Sequence, residues 1–282
     1  MKRLLFLLLL TPVFSFSQYT AIPDENFEKA LIGLGYDDVI DGEVLTKNIN
    51  TIDSLVIHWK WISDLSGIEA FTALVHLSCY KNKFKSLDLS KNTALTSLEC
   101  YGIINLDSLD LSKNTALTYL KCDNNQLTSL DISNNPLLER LVCNYNKLTS
   151  LDVSKNTALT YLDCSYNKLT SLDVRKNTAL TALDCSDNKL TSLDVSKNTA
   201  LTELWCRDNQ LKSLDVSKNT ALKKLNCNDN KLQRLDVRKN TALTDLSCGS
   251  NGLTSLDVRK NTALTYLQCK RIYFDSLDVS EN

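Results

Sequence analysis

Apolar residues recur along this chain in a single pattern, L-x-x-L-x-C-x-x-N-x-L-x-x-L-D-V-S-K-N, copied with small changes from about residue 52 onward. Residues 157–177, TALTYLDCSYNKLTSLDVRKN, show it most clearly. Leu162 and Cys164 alternate with Tyr161, Asp163 and Ser165, which predicts a short strand whose successive side chains face opposite sides. Leu169, Leu172 and Val174 point back into the same interior from the far side, and Leu159 joins them. Asn167 and Asn177 fall at two corners, where a short amide can bond backbone groups that a bend leaves unpaired. Each copy therefore reads as one flattened coil with extended backbone on both faces and little helix.

Ten cysteines, Cys79, Cys100, Cys122, Cys143, Cys164, Cys185, Cys206, Cys227, Cys248 and Cys269, mark the copies, with a step of 21 residues everywhere except one of 22. A fixed period of this size is the signature of a solenoid, because a single coil cannot bury its own apolar face and must stack on its neighbours. The repeat resembles the leucine-rich repeats, and a 21-residue step with Cys at one apolar position is similar to the internalin J type, whose repeats carry a cysteine ladder. The resemblance covers about four fifths of the chain. It implies a right-handed solenoid of α/β class, mostly β, with a parallel sheet on the concave face and short extended or turn segments on the convex face. It also implies a role in recognition.

The cysteines face one interior position of consecutive coils. Stacked strands hold equivalent atoms about 4.8 Å apart along parallel directions, whereas a disulfide needs Cβ atoms about 3.8 Å apart and convergent. Buried free thiols acting as small apolar fillers are expected. With no C-x-x-C spacing, a metal site is not.

The period is missing before residue 51, and three segments are predicted. Residues 1–17 read as a signal peptide: Lys2 and Arg3 precede an apolar run too short to span a membrane, and small residues follow. Residues 18–50 form an N-terminal cap, in which Asp24 starts a short helix with Phe27, Ala30, Leu31 and Leu34 on one apolar stripe. Residues 51–282 form the repeat domain of about eleven coils, the first with Ile57 in place of Cys. Asp37 to Gly42 is a polar loop that fits a calcium-loop pattern poorly, since Val39 and Asn48 stand where ligands belong. The insertion between Cys100 and Asn114, where Ile103 and Ile104 replace a corner Asn, predicts a local bulge. The repeat runs to Asn282 in mid-pattern, which suggests an open end that a partner covers, or a shortened relative.

Charge and chemistry narrow the function. With 32 basic and 33 acidic residues the chain lacks the basic surplus of a nucleic-acid binder. It contains no Gly-rich phosphate loop and no cofactor motif. Its two histidines, His58 and His76, lie on adjoining coils, and buried thiols are unreactive, so no enzyme is expected. The convex stretch scarcely changes between copies, and its Asp152, Asp173, Asp194, Asp215 and Asp236 are expected to interleave with Lys155, Lys176, Lys197, Lys218 and Lys239.

Partner choice is expected at the varied positions of the concave face. One candidate patch is central: Tyr145, Tyr161, Asp163, Tyr166, Asp184, Asp187, Glu203, Trp205, Arg207, Asp208 and Asp229, an acidic surface with aromatic anchors. A second lies at the N-terminal mouth, His58, Trp59, Trp61, Tyr80 and Tyr101, unless the cap covers the tryptophans. The expectation is an exported, secreted or cell-surface module of a bacterium that binds a protein or glycan. A structural envelope or matrix protein without a specific ligand is the alternative.

Overall fold

A computed structural model describes residues 18–272 and 276–279; the segment read as a signal peptide lies outside them. The chain opens with β1 (Tyr19–Ala21), α1 (Glu25–Gly33), β2 (Glu43–Leu45) and α2 (Thr46–Ile49), with β1 antiparallel to β2. Asp24 caps α1, its Oδ1 accepting from the amides of Asn26 at 2.9 Å and Phe27 at 3.0 Å. Its other oxygen accepts from the Ser63 amide at 2.8 Å, the Ser63 hydroxyl at 2.6 Å and the Asp64 amide at 3.1 Å. One carboxylate thus caps the helix and ties it to the first coil. Burial pushes this carboxyl up, but the bonds from Ser63, Phe27 and Asp64 outweigh it and hold it below its ordinary value.

Phe27, Ala30 and Leu31 are buried as the stripe requires, but Leu34 is 42% exposed. The helix ends at Gly33 and the chain reverses through left-handed Gly35, so Leu34 never reaches the core. The polar loop after the helix is held by Glu28, which is 1% exposed and accepts from the amides of Asp41 and Gly42 at 2.9 and 2.7 Å. At Gly67, where the cap meets the first coil, a Cβ would stand 2.7 Å from the Ala21 carbonyl oxygen, and φ is 102°. Only glycine fits.

The repeats then supply one three-residue strand per coil: β3 (Ser54–Val56), β4 (His76–Ser78), β5 (Ser97–Glu99), β6 (Tyr119–Lys121), β7 (Arg140–Val142), β8 (Tyr161–Asp163), β9 (Ala182–Asp184), β10 (Glu203–Trp205), β11 (Lys224–Asn226) and β12 (Asp245–Ser247). β13 (Ser255–Asp257) lies on the opposite side and pairs with β15 (Ser276–Asp278), while β14 (Tyr266–Gln268) extends the main sheet. That sheet has 11 parallel strands in chain order, and equivalent residues are in register, as Leu141 with Leu162 and Leu162 with Leu183. The predicted solenoid is what forms.

Inside, Cys79 to Cys248 are buried, Cys269 is half-buried, and all ten are free thiols. Both asparagine rows also point inward. Asn167 donates to the carbonyls of Cys143 and Cys164 at 3.1 Å each, and its Oδ1 accepts from the Leu148 amide at 3.0 Å. Asn177, fully buried, donates to the carbonyls of Val153 and Asn156 at 2.9 Å. Each amide therefore bonds to the coil before its own, which a lone coil could not offer.

The first corner begins one residue earlier than the asparagine. Trp59, Lys81, Asn124, Tyr145, Tyr166, Asp187, Asp208, Asp229, Ser250 and Arg271 form one row with φ between 50° and 60°, and Gly102 stands in the same row. In the irregular coil Ile103 is buried and its amide bonds to Asn125 Oδ1 at 2.7 Å, while Ile104 is 74% exposed. The insertion is absorbed by pushing one isoleucine out.

The convex charges do not interleave as expected. Asp152, Asp194 and Asp215 bond to the backbone amide two residues on, at 2.8 to 2.9 Å. Asp173, Asp236 and Asp257 add a two-pronged pair with Arg175, Arg238 and Arg259 of their own coil. Among the described residues, no lysine of that row closes an ion pair with this aspartate row. The short aspartate reaches its own turn before it can reach the next coil.

Candidate functional site

The exposed side chains of the sheet form rows that follow from the strand register. The first strand residue gives Tyr161 and Glu203; the third gives Asp163, Asp184 and Trp205. The residue after each cysteine, or after Ile57 in the first coil, gives His58, Tyr80, Tyr101 and Arg207, and the left-handed row gives Trp59, Tyr145, Tyr166, Asp187, Asp208 and Asp229.

The central candidates come together around Arg207. Tyr145 and Tyr166 stack with ring centroids 4.1 Å apart and 8° between planes. Arg207 donates to the Tyr166 hydroxyl and to Asp187 at 3.0 Å, and stands 3.7 Å from Asp208. Asp187 and Asp208 are thus bridged by one cation. Glu203 pairs with Lys224 at 3.1 Å, and Arg140 lies 3.7 Å over the ring of Tyr161. Asp229 is exposed and reaches this group only through its field on Asp208.

The two strand aspartates are the most constrained charges. Burial pushes Asp163 and Asp184 above the usual carboxylate range, although Asp163 accepts from the Ser165 hydroxyl at 2.7 Å and Asp184 from the Ser186 amide at 2.9 Å. Asp208 is raised by burial and then by Asp187 and Asp229, with Arg207 opposing. The Tyr166 hydroxyl is pushed up by its hydrogen bond with Tyr145 and by burial, and that of Tyr161 by burial and by Asp163. The patch is a half-buried acidic surface with aromatic faces and one organising arginine. Among the described residues, no group of three His, Cys, Asp or Glu side chains is placed to hold a metal ion.

Backbone geometry changes the weight of the candidates. Asn, Asp and Gly enter the left-handed region readily, whereas bulky residues there are strained. Asp187, Asp208 and Asp229 therefore serve the turn as well as the surface. Tyr145, Tyr166 and Trp59 gain nothing from the same backbone, so their side chains carry the functional argument.

At the N-terminal mouth the cap leaves Trp59 and Trp61 60% and 61% exposed. His58, Tyr80 and Tyr101 stack in a column, with centroids 4.4 and 4.2 Å apart. Lys81, Lys83 and Lys121 lie over Trp59, Trp61 and Tyr101 at 5.8, 4.3 and 4.0 Å. Sequence reading missed these lysines and Arg140. The available signal was their place about one repeat from a chosen aromatic, 20 residues for Lys121 and Tyr101 and 21 or 22 for the others, which the stacking of coils turns into contact.

The nine buried thiols are chemically quiet. Burial pushes those of Cys79 to Cys227 well above the ordinary value, and that of Cys248 to about 12. His76 Nδ1 lies 3.0 Å from the Ser97 hydroxyl, in a different row from His58. Among the described residues, no helix is long and apolar enough to cross a membrane.

Comparison with known proteins agrees with this geometry. Two family descriptions match, "Leucine Rich repeats (2 copies)" at residues 157–198 and "Leucine Rich Repeat" at 126–148. Internalin J of Listeria monocytogenes serotype 4b is 44% identical over 71 residues, 25% of this chain and 8% of its own length. The functional domain of InlJ from Listeria monocytogenes, described as including a cysteine ladder, superposes with a TM-score of 0.79 at 38% identity. That match covers 94% of this chain and 64% of that domain. An internalin InlF from Listeria monocytogenes, at 21% identity and a TM-score of 0.63 over 93% of this chain and 92% of its own, shares the fold. Repeat, strand register and thiol row together make this chain a leucine-rich repeat solenoid of the internalin J-like, cysteine-ladder kind.

Proposed function

We propose that this chain is an exported recognition module that binds a protein or glycan partner through the central patch of its concave face. The observation that carries the reading is the Tyr145–Tyr166 stack tethered by Arg207, two bulky aromatics held where the backbone favours smaller residues. Around it Asp163, Asp184, Asp208 and Glu203 leave more negative charge than Arg207 and Lys224 neutralise. Partners presenting cationic groups are favoured, by steering and by exclusion of acidic competitors. Rigid aromatics ringed by polar side chains are also the usual anatomy of a binding hot spot.

The test is capture of surface extracts by the immobilised protein and by the Trp205→Ala, Asp208→Ala double variant, followed by titration of the purified partner. A partner retained by the wild type and lost, by about tenfold or more in affinity, from the variant supports recognition. Failure of the folded wild type to retain any partner supports a structural role instead.

A further inference from the structure

The aromatic group at the N-terminal mouth stands apart from the central patch and carries the opposite charge. Trp59 and Trp61 flank Lys60, have backbone φ of 58° and 63°, and leave most of each indole in water. Left-handed backbone strains a bulky side chain, and an exposed indole adds little to folding. Fold stability accounts for neither residue. Above them on the next coil, Lys81 and Lys83 set their ammonium groups over the two indoles at 5.8 and 4.3 Å. Glu99 and Asp123, the carboxylates whose charge reaches Tyr101, accept from the Ser78 hydroxyl at 3.1 Å and the Asn124 side-chain amide at 2.7 Å. Asp24, on the cap side, is taken up by Ser63, Asp64 and the start of α1.

We infer that this patch binds an anionic polysaccharide of the polyuronate type. Flat indole faces take the C–H faces of pyranose rings, and ammonium groups beside them take the carboxylates that such rings carry. Coils repeat every 4.8 Å or so, close to the length of one sugar ring, so neighbouring coils meet neighbouring sugars. A lipid surface fits less well, because it needs a contiguous apolar rim; here indoles alternate with ammonium groups at the edge of a concave sheet. This site is independent of the central patch, and either can fail without the other.

The experiment is isothermal titration of the full chain with oligogalacturonate, with neutral dextran and with vesicles rich in phosphatidylglycerol. Oligogalacturonate should bind, more weakly as salt rises, and dextran and vesicles should not. The Trp59→Asn, Trp61→Asn variant and the Lys81→Glu, Lys83→Glu variant should each weaken binding about tenfold or more, whereas Trp205→Ala, Asp208→Ala should leave it unchanged. Because asparagine accepts left-handed backbone, the tryptophan variant should melt no lower than the wild type. Absence of uronate binding, equal binding of dextran, preference for vesicles, or a lower melting temperature of the tryptophan variant would each overturn the assignment.

Discussion

At the level of single residues, the inward asparagines and the strand aspartates make opposite contributions. Replacing Asn177 by alanine removes one of two donors from each of the buried carbonyls of Val153 and Asn156, which keep the amides of Asn156 at 3.0 Å and Leu159 at 3.1 Å, at about 1 kcal/mol for each lost bond. A urea titration should show a fall of about 2 kcal/mol, and an unchanged midpoint would contradict the assigned role. The aspartates run the other way. Folding raises the values of Asp163 and Asp184, so their favourable contribution is full below the unfolded value, about 3.9, and is lost as pH rises through the raised folded value. At neutral pH both charges oppose folding. Asp184→Asn should therefore raise the urea midpoint at neutral pH and leave it nearly unchanged near pH 4, a difference that equal shifts at both pH values would rule out. Asp173, Asp236 and Asp257, held at about 2 chiefly by their arginines, have the reverse sign. Their stabilisation is present above the unfolded value and disappears as pH falls through 2 or so. Which apolar residues face inward was legible from their spacing, as Leu162 and Cys164 show, whereas residue type placed the asparagines at corners without showing that their amides turn into the core. The left-handed bend at Tyr145 and Tyr166 was not, because aromatic residues hide a turn that Asn124 or Asp187 would have announced.

At the level of the element, the coil is a unit whose polar groups are completed by its neighbour. A cysteine at the ladder position suits this: it fills volume and accepts a site without hydrogen-bond partners beyond long contacts such as Cys185 Sγ to the Trp205 carbonyl at 3.6 Å. Cys164→Ser should cost more than Cys164→Ala, by about 1 kcal/mol, since a buried hydroxyl wants a partner. Denaturation of the two variants side by side checks this, and a more stable serine variant would contradict it. The cap was legible only in outline. Asp24 and the start of α1 followed from residue type, but its second bond set, to Ser63 and Asp64, joins positions about 40 apart and leaves no local trace. Leu34 misled because periodicity continues on paper past the glycines that end the helix. Gly67→Ala should destabilise this junction, seen as faster amide exchange in α1 than in the central coils.

At the level of the whole molecule, the charge of the solenoid is organised lengthwise and across. Convex aspartates are consumed in their own turns and with arginines of the same coil, so that face is a uniform, solvated exterior. Concave residues vary by coil, giving a cationic aromatic end and an acidic middle on one continuous sheet. The repeat made the architecture legible, since ten copies of one pattern leave a single way to stack. It could not show which exposed side chains meet, as Arg140 meets Tyr161 or Lys83 meets Trp61, because that depends on rotamers across coils. All of these assignments follow from equivalent residues lying directly above one another. Sulfur-anomalous diffraction from crystals of the unreduced protein measures this directly. A single file of peaks at intervals near 4.8 Å is the predicted result, and pairs of peaks about 2.05 Å apart, or sulfurs scattered through the molecule, would contradict it.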